Sequence, residues 1–350
     1  MTLRIAVIPG DGIGPEVIEQ ATRVLTRVGG VDLHPLPWSA DHYLKTGETL
    51  PPDGYDLLRS FDAILLGALG DPRVPDNRHA RDVLLGTRVE LDLYVNYRPV
   101  RLLDDRLCPL KHRTRADVDF AVFRENTEGV YVGVGGRFKP GTPDEIAVQE
   151  EVNTFKGVNR IVRHAFEFAR AHGLRRVCMA DKSNAMTHGH ALWQRVFAEV
   201  TQEYPRIEAT HLYIDALAMF LVQNPGQFQV IVTNNLFGDI VTDVGGALQG
   251  GLGMAASGNI HPSTSLGAGP RPGMFEPVHG SAPPLAGKNV ANPIGAILSA
   301  ALMLETLGRG DDARRIERAV EGAVQAGEVT RDVGGALGTR EAGDAILKRL

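Results

Sequence analysis

Asp239 and Asp243 stand four residues apart in the run Asn234-Asn235-Leu236-Phe237-Gly238-Asp239-Ile240-Val241-Thr242-Asp243. A helix would bring both carboxylates to one face. Two like charges side by side repel unless a cation or an arginine lies between them. Hard oxygen ligands of this kind suit Mg2+ or Mn2+, which keep waters or substrate oxygens as further ligands. A solvated helix face is the plain alternative on spacing alone, but apolar residues and glycines crowd both sides of the pair.

Other segments carry weaker signals of the same kind. Arg124-Glu125-Asn126-Thr127-Glu128-Gly129-Val130-Tyr131 follows an apolar run ending at Phe123, and Asp181-Lys182-Ser183-Asn184 follows another ending at Ala180. Proteins of the α/β class place ligands beyond the carboxyl ends of such strands. There Arg124 would fork onto a carboxylate, and Tyr131 would donate a proton. Lys182, beside a cation-bound alcohol, would act as a base. Taken singly, each reads more simply as a salt bridge, a half-buried tyrosine or a turn lysine. Phe275-Glu276-Pro277-Val278-His279-Gly280-Ser281-Ala282-Pro283-Pro284 has small residues that would let a flat ring or a ribose approach the backbone. Asn292 offers a two-way amide suited to a base edge. The bland alternative is a proline-rich loop. Gly10-Asp11-Gly12-Ile13-Gly14-Pro15 resembles a dinucleotide fingerprint only in part, because Pro15 stands where glycine or alanine is needed. A tight glycine turn for helix–strand packing serves equally well.

The elements that must position these residues alternate between short apolar runs and helical periods, the pattern of an α/β protein. Strands are expected at Arg4–Ile8, Ala63–Leu66, Val118–Phe123, Arg176–Ala180 and Val230–Thr233. Val17, Ile18, Ala21, Val24 and Leu25 recur at helical spacing after Gly14-Pro15, where proline suits a first turn. Ile316, Ala319, Val320, Ala323 and Val324 repeat the pattern, with Gly327 as its stop. The glycine-rich stretch from Gly133 to Asp144 is read as an extended hairpin or arm, and His261 to Gly273 as a surface loop.

The whole chain sets limits. Its 350 residues exceed what one hydrophobic core usually holds, so two domains are expected. A net charge of −5 and no dense run of Lys and Arg argue against nucleic acid or an anionic membrane as partner. An anionic substrate must then be held by a few local arginines. Cys108 and Cys178 lie far apart and outside any CxxC pattern, which suggests a reducing compartment. The N-terminal apolar run is too short for a signal peptide, and Pro293–Leu307 is too short to span a bilayer. The expectation is a cytoplasmic protein.

Together these segments resemble the β-decarboxylating dehydrogenases, the family of isopropylmalate, isocitrate, homoisocitrate, and tartrate or D-malate dehydrogenases. The likeness runs from Ile5 to the C-terminus. Its most specific parts are Asn235-Leu236-Phe237-Gly238-Asp239-Ile240 with Asp243, and Glu276-Pro277-Val278-His279-Gly280-Ser281-Ala282-Pro283. The resemblance implies a large twisted mixed sheet flanked by helices, in two domains and without the Rossmann unit. Residues 1–99 and 253–350 would form the cofactor domain. Residues 100–252 would form a central dimerisation and substrate domain, with the arm near 133–144 clasping a second subunit.

Matched position by position, Arg88, Arg98 and Arg124 would clamp the substrate's carboxylates, with Leu84, Leu85 and Asn184 completing its pocket. Asp215, Asp239 and Asp243 would hold Mg2+ or Mn2+. Lys182 would be the base for the 2-hydroxyl, and Tyr131 would protonate the enolate left by decarboxylation. Asp215 and Lys182 would come from the partner subunit of a homodimer with shared active sites. The dinucleotide would lie against Gly67, Leu69, Glu276, His279, Gly280, Ser281, Ala282 and Asn292.

Two departures stand out. NAD-dependent members usually have an aspartate after the Ser-Ala-Pro run, where this chain has Pro284. NAD is still expected, since no basic cluster for a 2′-phosphate is visible. Isopropylmalate enzymes also place a glutamate before the two leucines, and Arg81 holds that place here. The reaction the resemblance implies is metal-dependent oxidative decarboxylation of 3-isopropylmalate to 2-oxoisocaproate with NAD, a step of leucine synthesis. The same chemistry on tartrate or D-malate is the alternative, with homoisocitrate and isocitrate further off. A non-catalytic regulatory subunit would be expected to lose the lysine, the tyrosine or a carboxylate, and none is missing.

Overall fold

Ile5, Ala6, Val7 and Ile8 are all buried, as are all six residues of Ala63–Ala68. Runs covered on both faces belong at the centre of a sheet with helices on either side. The computed structural model, which describes residues 2–262 and 272–350, has that arrangement. Its strands are β1 (Leu3–Gly10), β2 (Val31–Pro35), β3 (Ala63–Ala68), β4 (Val95–Arg101), β5 (Asp119–Glu125), β6 (Gly135–Phe138), β7 (Ile146–Gln149), β8 (Arg176–Asp181), β9 (Glu208–Tyr213), β10 (Val230–Thr233), β11 (Ala256–Ile260) and β12 (Gly273–Pro277). Ten of them form one mixed sheet in the order β2-β1-β3-β12-β11-β4-β5-β10-β8-β9. Two parallel sets, β2-β1-β3-β12 and β5-β10-β8-β9, are joined through the antiparallel pairings of β11 and β4.

Each of the five apolar runs expected as strands is a strand, and four extend beyond the expected bounds. The extension corrects two placements. Arg124 lies within β5 and Asp181 within β8, rather than in the loops after them. Glu276 and Pro277 likewise end β12 instead of opening a loop. The strands of the large sheet that periodicity missed are its two edges, β2 and β9, the mixed polar strands β4 and β11, and the short buried β12. Residues 263–271, most of the expected surface loop, lie outside the described residues.

The helix Gly14–Val28 carries Pro15 in its first turn and buries Val17, Ile18, Ala21, Val24 and Leu25. The helix Gly310–Gln325 buries Ile316, Ala319, Val320, Ala323 and Val324, and Gly327 follows at φ +70°. The Gly10–Gly14 turn is a packing device. Gly10 and Gly12 have positive φ, and a Cβ on Gly12 would lie 1.9 Å from the Ser281 carbonyl oxygen. Among the described residues no helix is long and apolar enough to cross a membrane.

The hydrophobic core falls into four clusters. Two draw mainly on residues before Leu93 and after Met254; the other two draw on residues between Tyr94 and Leu248. In the second group the helix Phe155–Ala171 buries Val158, Ile161, Val162 and Phe166, each worth about 1.5–3 kcal/mol of transfer free energy. Strands β6 and β7 form a separate hairpin whose residues are all exposed, including Phe138, Ile146 and Val148.

Candidate active site

Register at the middle of the sheet gathers a row of polar side chains. Arg124 of β5 pairs with Asn96 of β4, Asn96 with Asn259 of β11, and Ser257 with Glu276 of β12. Because side chains alternate across a strand, Arg98 shares the face of Asn96, and Ser257 that of Asn259. The intervening Tyr97, Phe123, Gly258 and Phe275 lie on the opposite face, where the Tyr97 and Phe123 rings stack 5.1 Å apart. Asn259 accepts from Asn96 (3.0 Å) and Asn126 (2.9 Å) and donates to Glu276 Oε1 (2.9 Å). That oxygen also accepts from Arg88 Nη2 at 2.9 Å.

The helix Asn235–Leu248 packs across this row. Asn234 starts it, its side-chain oxygen accepting from the Phe237 amide at 2.8 Å. Gly238 lets it approach, since a Cβ there would lie 2.6 Å from Arg124 Cβ. Asn235 Oδ1 accepts from Arg124 Nε (2.9 Å) and Nη2 (2.7 Å), and Thr242 accepts from Arg98. Asp239 accepts from Arg124, from Arg98 Nη2 at 3.3 Å and from the Tyr131 hydroxyl at 3.1 Å. Arginines thus balance part of the charge that the Asp239/Asp243 spacing raised as a problem.

Burial opposes the charge of Asp239, yet Arg124 and Arg98 outweigh it and hold the carboxyl below its ordinary range. Asp243 moves the other way, raised first by burial and then by Asp239. Burial and the charges of Arg98 and Arg88 weigh against the Arg124 cation, and Asp239 offsets them only in part. Burial and Asp239 raise the Tyr131 phenol, keeping it protonated as a proton donor must be.

These groups open onto a cavity of about 220 Å³. Arg88, Arg98, Arg124, Tyr131 and Asp239 line it together with Leu84 and Leu85. Gly67, Leu69, Glu276, His279 and Gly280 line it as well. The remaining expected residues do not line it. Lys182 Nζ bonds Asp215 Oδ1 at 2.5 Å, both following the carboxyl ends of neighbouring strands β8 and β9, and Asn184 is exposed in a turn nearby. Asp243 is exposed, one turn along from Asp239. The Ser281 carbonyl is taken by the Ile13 amide, and Ala282 sits at φ +39°. The Asn292 amide is also engaged: Nδ2 donates to Asp332 at 3.0 Å and Oδ1 accepts from the Ile294 amide. Sequence reasoning assigned no role to Asn96, Asn235, Thr242, Ser257 or Asn259. The alternation Asn96-Tyr97-Arg98 and Ser257-Gly258-Asn259 was the signal available for three of them.

The donors fit the groups expected. No side chain among the described residues bonds the Asp243 carboxylate, which leaves its oxygens free beside Asp239 for a hard cation. The buried Nε atoms of Arg88 and Arg98 have no partner among the described residues, as suits sites for substrate oxygens. His279 Nε2 is likewise buried and unpartnered at the cavity lip.

Comparison with known proteins is consistent along the whole chain. The sequence profile described as isocitrate/isopropylmalate dehydrogenase matches residues 4–346. A protein named 3-isopropylmalate dehydrogenase from Thermobifida fusca is 47% identical over 100% of this chain and 98% of its own length. One of the same name from Mycobacterium avium is 49% identical over 91% of this chain and 93% of its own. Among solved structures, isocitrate dehydrogenase from Methylococcus capsulatus superposes with a TM-score of 0.88 at 36% identity, covering 100% of this chain and 99% of that one.

Proposed function

The chain belongs to the isocitrate/isopropylmalate dehydrogenase family, and from that premise we propose that it oxidises 3-isopropylmalate with NAD, releasing CO2 and 2-oxoisocaproate. The observation that carries this reading is the meeting of two chemistries in one cavity. Three arginines that would take carboxylates line it together with Leu84 and Leu85, which would take an alkyl group. A branched chain against the leucines gains about 0.8 kcal/mol for each carbon removed from water. Malate has no such group, and the second hydroxyl of tartrate would need a polar partner that leucines do not supply. Arg81 does not supply one either: its side chain is 66% exposed and pairs with Asp82.

In this reading Arg88, Arg98 and Arg124 bind and orient the two carboxylates by forked hydrogen bonds. Lys182 takes the 2-hydroxyl proton, and after CO2 leaves Tyr131 gives a proton to the carbon that bore the lost carboxylate; NAD, when bound, would supply the hydride acceptor. Asp215, Asp239 and Asp243 would hold Mg2+ or Mn2+, which when bound supplies positive charge where oxygen charge develops. NAD would lie along Gly67, Leu69, Glu276, His279, Gly280, Ser281, Ala282 and Asn292.

The site is completed by a second copy of the chain. The Lys182–Asp215 pair stands outside the cavity formed by its own chain, and Met219, Val222 and Ile240 leave apolar side chains exposed on the two helices after β9 and β10. The exposed β6–β7 hairpin is suited to clasp the partner. Residues 1–99 with 253–350, and 100–252, are the two domains, in keeping with the division of the hydrophobic clusters. A reducing, cytoplasmic setting accords with free Cys108 and Cys178.

The test is kcat/KM for 3-isopropylmalate, D-malate, tartrate, homoisocitrate and isocitrate, each with NAD and NADP. 3-Isopropylmalate with NAD should give the highest value, and Leu85→Ala should lower it while sparing D-malate. Preference for D-malate in the unmodified protein, or equal losses on both substrates, would overturn the reading.

A further inference from the structure

We propose that Tyr55 is a positioning residue for substrate selection, because its hydroxyl wedges open the helical turn that carries Leu84 and Leu85. The proposal rests on the substrate reading above and extends it to a residue outside the cavity lining.

The segment bearing the leucines is not uniform. Arg78–Ala80 and Thr87–Glu90 are α-helical, but Arg81–Gly86 between them is wound as π-helix. Such wide turns are unfavourable, and they persist in short pieces, often at functional sites. Something must hold this one. In an α-helix the Asp82 carbonyl would accept from the Gly86 amide. In this π-helical turn the backbone bonds span five residues instead of four, and the Asp82 carbonyl also accepts from the Tyr55 hydroxyl at 2.8 Å.

Tyr55 also fills the space beside that amide. A Cβ on residue 86 would lie 2.1 Å from the tyrosine oxygen and 3.1 Å from Cζ, so the wedge requires glycine there. From the other side Thr49 Oγ1 donates to Asp82 Oδ2 at 2.9 Å, fixing the residue whose carbonyl is held. Tyr55 itself is anchored, packing with Leu50 and Leu84 against the cluster of Leu58, Leu66 and Val83.

The wide turn matters because of what it presents. On an α-helix, residues three and four apart share a face, so Leu84 and Leu85 would flank Arg88 at angles set by about 100° per residue. A wider turn separates successive side chains by less, and Leu84, Leu85 and Arg88 all line the cavity. If the hydroxyl is removed, the Asp82 carbonyl regains the Gly86 amide and the turn tightens. The leucines then rotate relative to Arg88. An alkyl group loses contact, while carboxylates held by the arginines do not.

The experiment compares kcat/KM for 3-isopropylmalate and D-malate in the unmodified protein and in Tyr55→Phe. The ratio should fall roughly tenfold, the scale of discrimination from a few buried carbons, with D-malate turnover unchanged. A ratio that survives Tyr55→Phe overturns the role of Tyr55 alone. An unmodified protein without preference for 3-isopropylmalate overturns the substrate reading and this role with it. The wedge has a second readout independent of activity. Gly86→Ala should lower Tm strongly in the unmodified background and less in Tyr55→Phe; equal losses would overturn the wedge.

Discussion

Asn235 holds Arg124 by two bonds from one oxygen, its Oδ1 accepting from Nε at 2.9 Å and Nη2 at 2.7 Å. The guanidinium is almost wholly buried, so this side-chain amide, 111 residues away in sequence, fixes where the cation points. Loss of a hydrogen bond to a buried charge commonly costs about 1.5–3 kcal/mol, and a misplaced binding group can cost on the order of a hundredfold in rate. Asn235→Ala should therefore lower both Tm and kcat/KM. Asn235→Asp, which keeps an acceptor oxygen, should retain more of each. Steady-state kinetics with wild-type values for Asn235→Ala would refute the positioning role.

Asp243 gives the cleaner test of the metal carboxylates, because Asp239 is also tied to Arg98, Arg124 and Tyr131. Burial and the neighbouring Asp239 charge raise the Asp243 carboxyl, so neutralising it relieves repulsion. Asp243→Asn should leave metal-free Tm equal or slightly higher. The rise in Tm on adding Mn2+ should shrink or vanish, and activity should fall with it. An unchanged Mn2+ response would remove Asp243 from the cation site.

The pairing of Lys182 with Asp215 at 2.5 Å means the two travel together to whichever cavity they serve. If that cavity belongs to the second subunit, inactive Lys182→Met and inactive Asp243→Asn protomers should recover activity when mixed. One site of each heterodimer would then combine an intact Asp243 with an intact Lys182. Heterodimers that form but stay inactive would rule out the shared site.

His164 sets a pH dependence unrelated to catalysis. Burial pushes its folded pKa down to about 4, from 6.5. Between these values the unfolded chain holds the proton and the folded chain does not, so stability falls as pH drops from 6.5 toward 4. Above 6.5 the residue is neutral in both states and contributes no slope. His164→Phe should flatten unfolding free energy against pH in that window by up to about one proton's worth. Parallel curves for the two proteins would contradict the assignment.

Much of the site was legible because its signals are local. The four-residue spacing of Asp239 and Asp243 needs only a helix, and the helix Asn235–Leu248 supplies it. The apolar runs of β1, β3, β5, β8 and β10 were readable because both sheet faces are covered. Leu84, Leu85 and Arg88 share a short segment, so their common cavity followed from proximity in the chain.

Other features depended on sheet order. The row from Arg124 through Asn96 and Asn259 to Glu276 joins strands separated by long stretches of sequence, and no local period encodes which strands become neighbours. The same holds for the Gly10–Gly14 turn, whose fit against Ser281 is a contact between chain ends. It holds also for Tyr55, since its own helix gives no hint that its hydroxyl meets the Asp82 carbonyl. Hydrogen bonds and close approaches act over about 3 Å, so residues far apart in the chain acquire them only when packing closes the distance.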